Sequence, residues 1–325
     1  MYPIVRLRRN RRTKWIRDLL SETKLSPEDL ILPIILIEGE NQKQEIKTMP
    51  NVFRQSIDQA LITAKEAEQK GIKSVALFPY IDDDLKSENA DEAYNLDNLV
   101  CRAVRSFKNA GLSIGIICDV ALDPYTVHGH DGILIDGDVD NDQTIEALSN
   151  QALVLAKAGV DVVAPSDMMD GRILTIRENL DSKGFIHVNI LAYAAKYNSS
   201  FYSPFRDAVG SKQKQYLCKA TYQMDVRNSK EAMREIAHDI DEGADMIMVK
   251  PSMLFLDIIK EASTEFDVPI FGYQVSGEYA MIKFAAENGA LDWEKSMIES
   301  LTCLKRSGAS AIFTYAALEV AKVLQ

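Results

Sequence analysis

One pattern recurs five times along the 325-residue chain and constrains its fold more than any other feature. An amphipathic helical stretch is followed by a glycine and then by an apolar segment. The five glycines are Gly71, Gly111, Gly159, Gly243 and Gly308. A glycine here is typical of a left-handed residue that ends a helix, and the apolar run after it is typical of a strand buried on both faces. Repeated units of this kind predict a parallel sheet.

Three further apolar segments complete a set of eight predicted strands. The strands are expected at residues 31–37, 74–79, 114–120, 160–165, 186–192, 245–250, 269–275 and 310–315. Eight strands alternating with helices favour an α/β fold of the closed (β/α)₈, or TIM-barrel, type. The alternative is an open doubly wound sheet, which normally carries a GxGxxG turn after its first strand, whereas this chain reads EGENQKQE there. We predict an extended N-terminal arm over residues 1–30 and a single TIM-barrel catalytic domain over residues 31–325.

Charge is distributed unevenly and limits the classes of partner. The net charge is −11, yet residues 1–17 carry seven Arg or Lys and no acidic residue, which leaves −18 on the rest. This balance argues against nucleic-acid binding by the whole chain. No apolar run approaches the ~20 residues of a membrane helix, and no secretory signal is recognisable. The four cysteines are widely separated in the sequence, which suggests reduced thiols. We expect a cytoplasmic protein with neither a nucleic-acid nor a membrane partner.

Two lysines occupy the expected carboxyl ends of strands, where the chemistry of TIM barrels takes place. Lys196 follows the apolar run NILAYAA, and Lys250 ends the run DMIMVK. Burial beside another cation lowers the pKa of an amine, so that its neutral, nucleophilic form becomes accessible for Schiff-base chemistry. The alternative is that each lysine extends to solvent at the barrel mouth. Two lysines at one rim favour the catalytic interpretation, because each can lower the pKa of the other.

Two loops at the same end carry further candidates. The segment DVALDPYTVHGHDG contains Asp119, Asp123 and Asp131, which could bind a hard cation or only form turns. Its two histidines are more typical of loop hydrogen bonding than of metal ligation. After the fifth strand, Arg206 stands among aromatic residues and Lys219 follows. Cations in such a loop suit a substrate carboxylate, and the alternative is a surface cation–π pair.

Five segments together closely resemble the porphobilinogen synthase, or 5-aminolevulinate dehydratase, family. They are AAKYNSSFYSPFRDAVGS, KATYQMD, ADMIMVKPSMLFLDI, GYQVSGEYAMIKFAAENGALD and DVALDPYTVHGHDG. The similarity runs from RLRRNRR at residues 6–12 to the C-terminus. It implies an asymmetric condensation of two 5-aminolevulinate molecules to porphobilinogen, with loss of two waters, in tetrapyrrole (haem) biosynthesis. It also implies a homo-octamer assembled through the N-terminal arm.

The resemblance assigns roles to particular residues. Lys250 matches the Schiff-base lysine for the substrate that supplies the propionate side, and Lys196 the lysine for the acetate side. Arg206 and Lys219 match the residues that hold the carboxylate of the second substrate. The pair that matches the holders of the first carboxylate is Ser276 and Tyr315. Ser276 is also a predicted helix N-cap, as are Ser229 and Asp292, and one hydroxyl cannot fully serve both roles.

The loop after the third strand departs from the zinc-dependent members of the family. Those members carry three cysteines where this chain has Ala121, Asp123 and Asp131. Because thiolates select zinc and carboxylates select magnesium, we expect no active-site zinc, and the resemblance points to the magnesium-stimulated branch. Glu235 matches the allosteric magnesium position at a subunit contact. The three aspartates remain candidate ligands, and no organic cofactor is expected.

Two rival interpretations lead to different experiments. A class I aldolase-type barrel would use one lysine on another carbonyl substrate. If that substrate were a sugar phosphate, glycine-rich loops would be expected after strands 7 and 8, but these loops read SGEYAM and AALEVA. Alternatively, the basic arm binds RNA or an anionic surface beside a barrel of unrelated activity. That interpretation predicts salt-sensitive binding that is lost when residues 1–17 are deleted.

Overall fold

Eight parallel strands close into a barrel in the computed structural model, which describes residues 1–210 and 218–325. The strands are β1 (Leu30–Leu36), β2 (Ser74–Pro79), β3 (Gly115–Val120), β4 (Val162–Pro165), β5 (Asn189–Lys196), β6 (Met246–Lys250), β7 (Ile270–Gln274) and β8 (Ala311–Thr314). Each strand pairs with the next along the chain, and β8 returns to β1, where Leu30 lies opposite Ile312. The predicted TIM barrel is confirmed.

Nine helices of at least eight residues, counted among the described residues, surround or cap the barrel. They are α1 (Ile57–Gln69), α2 (Leu99–Asn109), α3 (Asn141–Ala158), α4 (Arg172–Ser182), α5 (Lys230–Asp241), α6 (Leu256–Glu265), α7 (Ser276–Glu287), α8 (Trp293–Ser307) and α9 (Ala317–Leu324). All five glycines of the repeated pattern have positive φ angles, between 68° and 120°. They therefore end their helices in the conformation that the sequence pattern predicts.

Seven of the eight predicted strands agree with the structure to within two residues at each end. The fifth was placed too early, because the segment before Asn189 forms a turn in which Val188 N–H donates to the carbonyl of Phe185. The strand instead continues to Lys196, and all seven residues from Ile190 onward are buried. Lys196 is therefore the last residue of β5 and does not lie in the loop beyond it.

The predicted N-caps had mixed outcomes. Asp292 caps α8, since its carboxylate accepts the N–H of Lys295 at 3.0 Å, whereas Ser229 precedes α5 without a side-chain cap bond. The prediction for Ser276 is wrong by one residue, because Ser276 is already helical and Val275 is the N-cap. Glu278 accepts the Val275 N–H at 2.9 Å, so the Ser276 hydroxyl is available for contacts elsewhere.

The N-terminal segment has few contacts with the barrel. No side chain of residues 1–29 is buried, although they include a 3₁₀ turn at Leu7–Arg11 and a helix at Lys14–Leu19. By contrast, every residue of β1 is buried. The division into an arm and one catalytic domain stays a prediction. No helix in residues 1–210 or 218–325 is long and apolar enough to cross a membrane.

A short helix at the carboxyl end of the barrel, Ser203–Ala208, is called the rim helix below. Arg54, in the short strand Phe53–Gln55, holds its last turn: the guanidinium donates to the carbonyl of Ala208 at 2.7 Å and to that of Asp207 at 2.6 Å. The same guanidinium lies 4.7 Å from the centre of the Tyr80 ring. These contacts tie the rim helix to the first strands of the barrel.

Candidate active site

Two lysines lie opposite each other at the carboxyl end of the barrel. The register of β5 and β6 pairs Lys196 with Lys250, and their exposed fractions are only 5% and 7%. Neither lysine extends to solvent, so the alternative of two exposed rim lysines is wrong for the described chain. Paired residues on neighbouring strands are close, and two ammonium groups held this near disfavour being charged together.

Aromatic rings surround the Lys250 ammonium. The distances from Nζ to the ring centres are 5.0 Å for Tyr193, 5.3 Å for Tyr202, 5.4 Å for Phe205 and 4.8 Å for Tyr273. Burial, together with the nearby charge of Lys196, lowers the pKa of Lys250 to about 7. A substantial neutral fraction at neutral pH makes Lys250 a competent nucleophile, while the ring faces can stabilise a cationic product.

Lys196 belongs to a separate network of charges. Its Nζ donates to the carbonyl of Ser166 and lies 3.6 Å from Asp131. Lys219 lies 3.0 Å from Asp131 and 3.4 Å from Asp123, and all these side chains are nearly inaccessible to solvent. Although burial opposes both shifts, the mutual attraction lowers the pKa of Asp131 and raises that of Lys219. Two of the three candidate metal-binding aspartates are thus paired with ammonium groups.

The third aspartate, Asp119, is placed differently. Its Oδ1 is buried and has no hydrogen-bond partner among the described residues. Burial raises the pKa of Asp119 to about 7, although the charges of Lys250 and Lys196 oppose the shift. A carboxyl group with this pKa can both release and accept a proton near neutral pH.

These groups enclose one small cavity of about 30 Å³. It is lined by Asp119, Asp123, Asp131, Ser166, Lys196, Tyr202, Phe205, Arg206, Lys219, Gln223 and Lys250. The structure therefore brings together seven of the residues singled out from the sequence. Arg206 reaches this cavity from the rim helix.

Ser276 and Tyr315 are not part of that lining. The Ser276 hydroxyl accepts the N–H of Phe205 at 3.0 Å and donates to the carbonyl of Phe201 at 3.3 Å. The Tyr315 hydroxyl lies 3.0 Å from that of Tyr273, whose ring is beside Lys250. Both residues therefore contact the elements that enclose the cavity.

Glu235 lies in a second, separate cavity of about 420 Å³. Its acidic lining residues are Asp138, Asp170, Asp225, Glu231 and Glu235. Burial and the charge of Asp239 raise the pKa of Glu235. Nearby, the buried guanidinium of Arg172 donates to both carboxylate oxygens of Asp239 at 2.9 Å.

Sequence reasoning missed the rings contributed by Tyr193 and Tyr273. Strict alternation along β5 would place Tyr193 and Lys196 on opposite faces of the strand. The pairing with β6 shifts between Ile247 and Val249, which leaves one extra residue on β5. Such a bulge changes the alternation and brings both side chains to the inner face, so no periodicity could have revealed Tyr193. The rings of Tyr202 and Phe205, noted near Arg206 in the sequence, lie beside Lys250.

The fold and site define a class of protein: (β/α)₈-barrel enzymes in which buried lysines meet a carbonyl substrate at the carboxyl ends of the strands. The family described as delta-aminolevulinic acid dehydratase matches residues 4–323. The chain belongs to this family, as its resemblance predicted.

Individual relatives agree over nearly the full length. The delta-aminolevulinic acid dehydratase of Bradyrhizobium diazoefficiens is 52% identical, with 99% of this chain and 91% of the relative covered. The Rhodobacter capsulatus protein of the same name is 45% identical, with 99% and 97% covered. The porphobilinogen synthase of Toxoplasma gondii, solved with the reaction product porphobilinogen, is 45% identical and superposes with a TM-score of 0.96, covering 98% of this chain and 91% of that one.

Proposed function

We propose that this chain is a porphobilinogen synthase, a hydro-lyase that condenses two 5-aminolevulinate molecules to porphobilinogen with loss of two waters. The observation that carries the proposal is the register of Lys196 and Lys250 in a chain of this family. Each amine can convert a ketone to an imine. One imine makes the adjacent carbon acidic and the other makes its carbon electrophilic, as a carbonyl–carbonyl condensation requires.

The two lysines have different surroundings, which supports different roles. Lys250, with a pKa of about 7 and an aromatic enclosure, suits the first substrate, which supplies the propionate side. Lys196, beside the Asp131 carboxylate, suits the second substrate, which supplies the acetate side. We further propose Asp119 as a proton carrier, because it lines this cavity, its pKa is about 7, and its Oδ1 has no hydrogen-bond partner among the described residues.

The carboxylates of the two substrates need separate cationic or hydroxyl partners. Arg206 and Lys219 line the cavity and would hold the second carboxylate, with Lys219 exchanging its contacts to Asp123 and Asp131. Ser276 and Tyr315 would hold the first. A cavity of about 30 Å³ holds only one or two waters, so substrate entry requires side chains of the rim to move.

We propose that Mg²⁺ acts at the acidic cavity around Glu235 as an allosteric activator. The cavity offers carboxylate oxygens, which are the ligands Mg²⁺ prefers, and the ion commonly keeps several waters and uses one or two carboxylates. No cluster of three or more His, Cys, Asp or Glu in the described residues is arranged to chelate a metal. Asp123 and Asp131 fit a cation less well, because lysines already neutralise them.

We also propose a cytoplasmic homo-octamer in which the N-terminal arm contacts a neighbouring subunit. The arm exposes several apolar side chains that a subunit interface would cover. They are Tyr2, Ile4, Leu7, Trp15 and Leu19. Deletion of residues 1–17 should lower oligomer mass and activity together. Salt-sensitive RNA binding that is lost with the deletion would instead support a nucleic-acid role for the arm.

Borohydride trapping with 5-aminolevulinate, followed by peptide mass mapping and a porphobilinogen assay, tests the central proposal. We expect turnover and adducts on Lys250 and Lys196. A single-lysine aldolase-type barrel would carry one adduct and act on another carbonyl compound. An enzyme left unmodified under turnover conditions would contradict the Schiff-base mechanism.

A further inference from the structure

The Asp131 carboxylate occupies the position between the two cations of the second substrate site. It lies 3.6 Å from Lys196 and 3.0 Å from Lys219, and the residue is 1% exposed. Lys196 is held from the other side only by the carbonyl of Ser166 among the contacts of the described residues. Asp131 is the carboxylate in ion-pair contact with Lys196, so its position contributes directly to the negative charge that Lys196 experiences, while Asp119 and Asp167 act on Lys196 from farther away.

The hydroxyl of Tyr222 fixes the backbone at Asp131 and lies beside its side chain. Tyr222 Oη accepts the backbone N–H of Asp131 at 3.3 Å and lies 3.0 Å from Nδ1 of His130. Although burial opposes the shift, the hydroxyl also lowers the pKa of the Asp131 carboxyl group, in the same direction as the charges of Lys196 and Lys219. Tyr222 thus holds the backbone at Asp131 and favours the charged form of its side chain.

The donors and acceptors available on His130 and Tyr222 determine which group donates in each hydrogen bond. The His130 ring is 1% exposed, and a neutral imidazole has one N–H. Its Nε2 has no partner among the described residues, and a buried N–H there would be left unpaired. The proton is therefore best placed on Nδ1, which donates to Tyr222 Oη. The hydroxyl proton is then available to Asp131.

We propose that Tyr222 and His130 are positioning residues for Lys196: they hold the Asp131 carboxylate where it balances the charge of the imine formed there. The inference rests on the proposed function. In that step the Lys196 ammonium and the substrate ketone form a protonated C=N bond and release one water carrying the ketone oxygen. The positive charge stays on nitrogen, next to Asp131. Lys250 is enclosed by rings and forms no ion pair with Asp131 among the described residues, so it depends less on Tyr222.

The test compares the two lysines within one sample. Tyr222→Phe is expected to lower the borohydride adduct on Lys196 by about tenfold relative to the adduct on Lys250, because it removes the acceptor of the Asp131 N–H and a loss of this size is typical of one buried hydrogen bond. A general structural defect would lower both adducts alike. Tyr197→Phe is the matched control, because that buried hydroxyl donates to the carbonyl of Asn228 at 2.9 Å, away from Asp131.

Two variants of His130 test whether its ring positions the Tyr222 hydroxyl. His130→Asn keeps a side-chain N–H near the position of Nδ1 and should retain most of the Lys196 adduct, whereas His130→Phe should lose it as Tyr222→Phe does. An unchanged ratio of adducts in Tyr222→Phe would overturn the positioning role, as would a parallel loss on both lysines. If the wild-type protein formed no adduct on either lysine, the proposed function itself would be overturned. That result differs from an unchanged adduct ratio in Tyr222→Phe, so failure of the positioning role and failure of the proposed function are distinguishable.

Discussion

Replacing Lys196 with methionine should shift the titration of Lys250 towards higher pH. The wild-type pKa of about 7 reflects burial first and the charge of Lys196 second. Below that pH Lys250 is protonated and not nucleophilic, so Schiff-base formation should increase as the pH rises through 7. Removing the neighbouring cation removes one reason for the lowered pKa, and the midpoint must rise. Methionine keeps a similar unbranched length, which limits the packing change.

The magnitude follows from the strand register. Lys196 and Lys250 are paired across neighbouring strands, which are ~4.8 Å apart. Two unit charges about 5–6 Å apart, at an effective dielectric constant of about 20, repel by about 3 kcal/mol, equivalent to about 2 pKa units. Water entering the space left by Lys196 would screen the remaining charges. We therefore expect the midpoint to rise by about 1 to 2 units.

The assay is borohydride trapping of 5-aminolevulinate on Lys250, measured by peptide mass mapping between pH 5 and 10, since the variant need not turn over. Lys283→Met is the matched control: this lysine is also 7% exposed, but it lies on α7 and pairs with Glu319 of α9 at 3.0 Å. The control should keep the wild-type midpoint. A Lys196→Met midpoint at or below the wild-type value would refute the argument that the two ammonium groups are coupled.

Four other substitutions test separate contacts. Arg54→Ala removes both hydrogen bonds from the guanidinium to the end of the rim helix. KM for 5-aminolevulinate should therefore rise about tenfold, while the amount of borohydride adduct on Lys250 in saturating substrate stays unchanged. An unchanged KM would contradict the anchoring role of Arg54. Asp119→Asn should lower kcat by at least about a hundredfold and still permit trapping on Lys250, whereas near-normal turnover would exclude Asp119 as proton carrier. Arg172→Met leaves the buried Asp239 carboxylate without its ion-pair partner. The free energy of unfolding, measured by urea titration, should fall by about 3–5 kcal/mol. A loss below about 1 kcal/mol would show that the ion pair is not important for stability. Glu235→Gln should abolish stimulation by Mg²⁺ and leave the magnesium-free rate intact, and a retained stimulation would place the ion elsewhere.

Local patterns in the sequence were sufficient to predict the barrel and the position of one of its two active-site lysines, Lys250. The repeated glycines ended helices as expected, and Lys250 was placed correctly because an apolar run stops at a single charge. Lys196 was expected at the carboxyl end of its strand, but the strand was predicted to end at residue 192, whereas the residues up to Lys196 are buried in β5. Packing against neighbouring strands, which a local pattern does not contain, decided where this strand ends.

The chemical surroundings of the lysines were less accessible to sequence reasoning. Lys219 pairs with Asp123 across 96 residues of chain, and no spacing rule connects them. The bulge that brings Tyr193 beside Lys250 exists only in the pairing of two strands. The family resemblance supplied the expected roles of the site residues. The ion pairs that distinguish Asp123 and Asp131 from Asp119 could be recognised only in the folded structure.

The closure of the barrel by its last strand has a consequence for synthesis of the chain. Until β8 pairs with both neighbours, β7 and the first half of β1 each present an open edge of unpaired backbone groups, since the short strand Phe53–Gln55 pairs only with the second half of β1. Leu30 finds its partner Ile312 only when almost the whole polypeptide has been made. Chains that stop before Ala311 should therefore aggregate through these edges, and nascent chains should depend on protection from such contacts for most of translation.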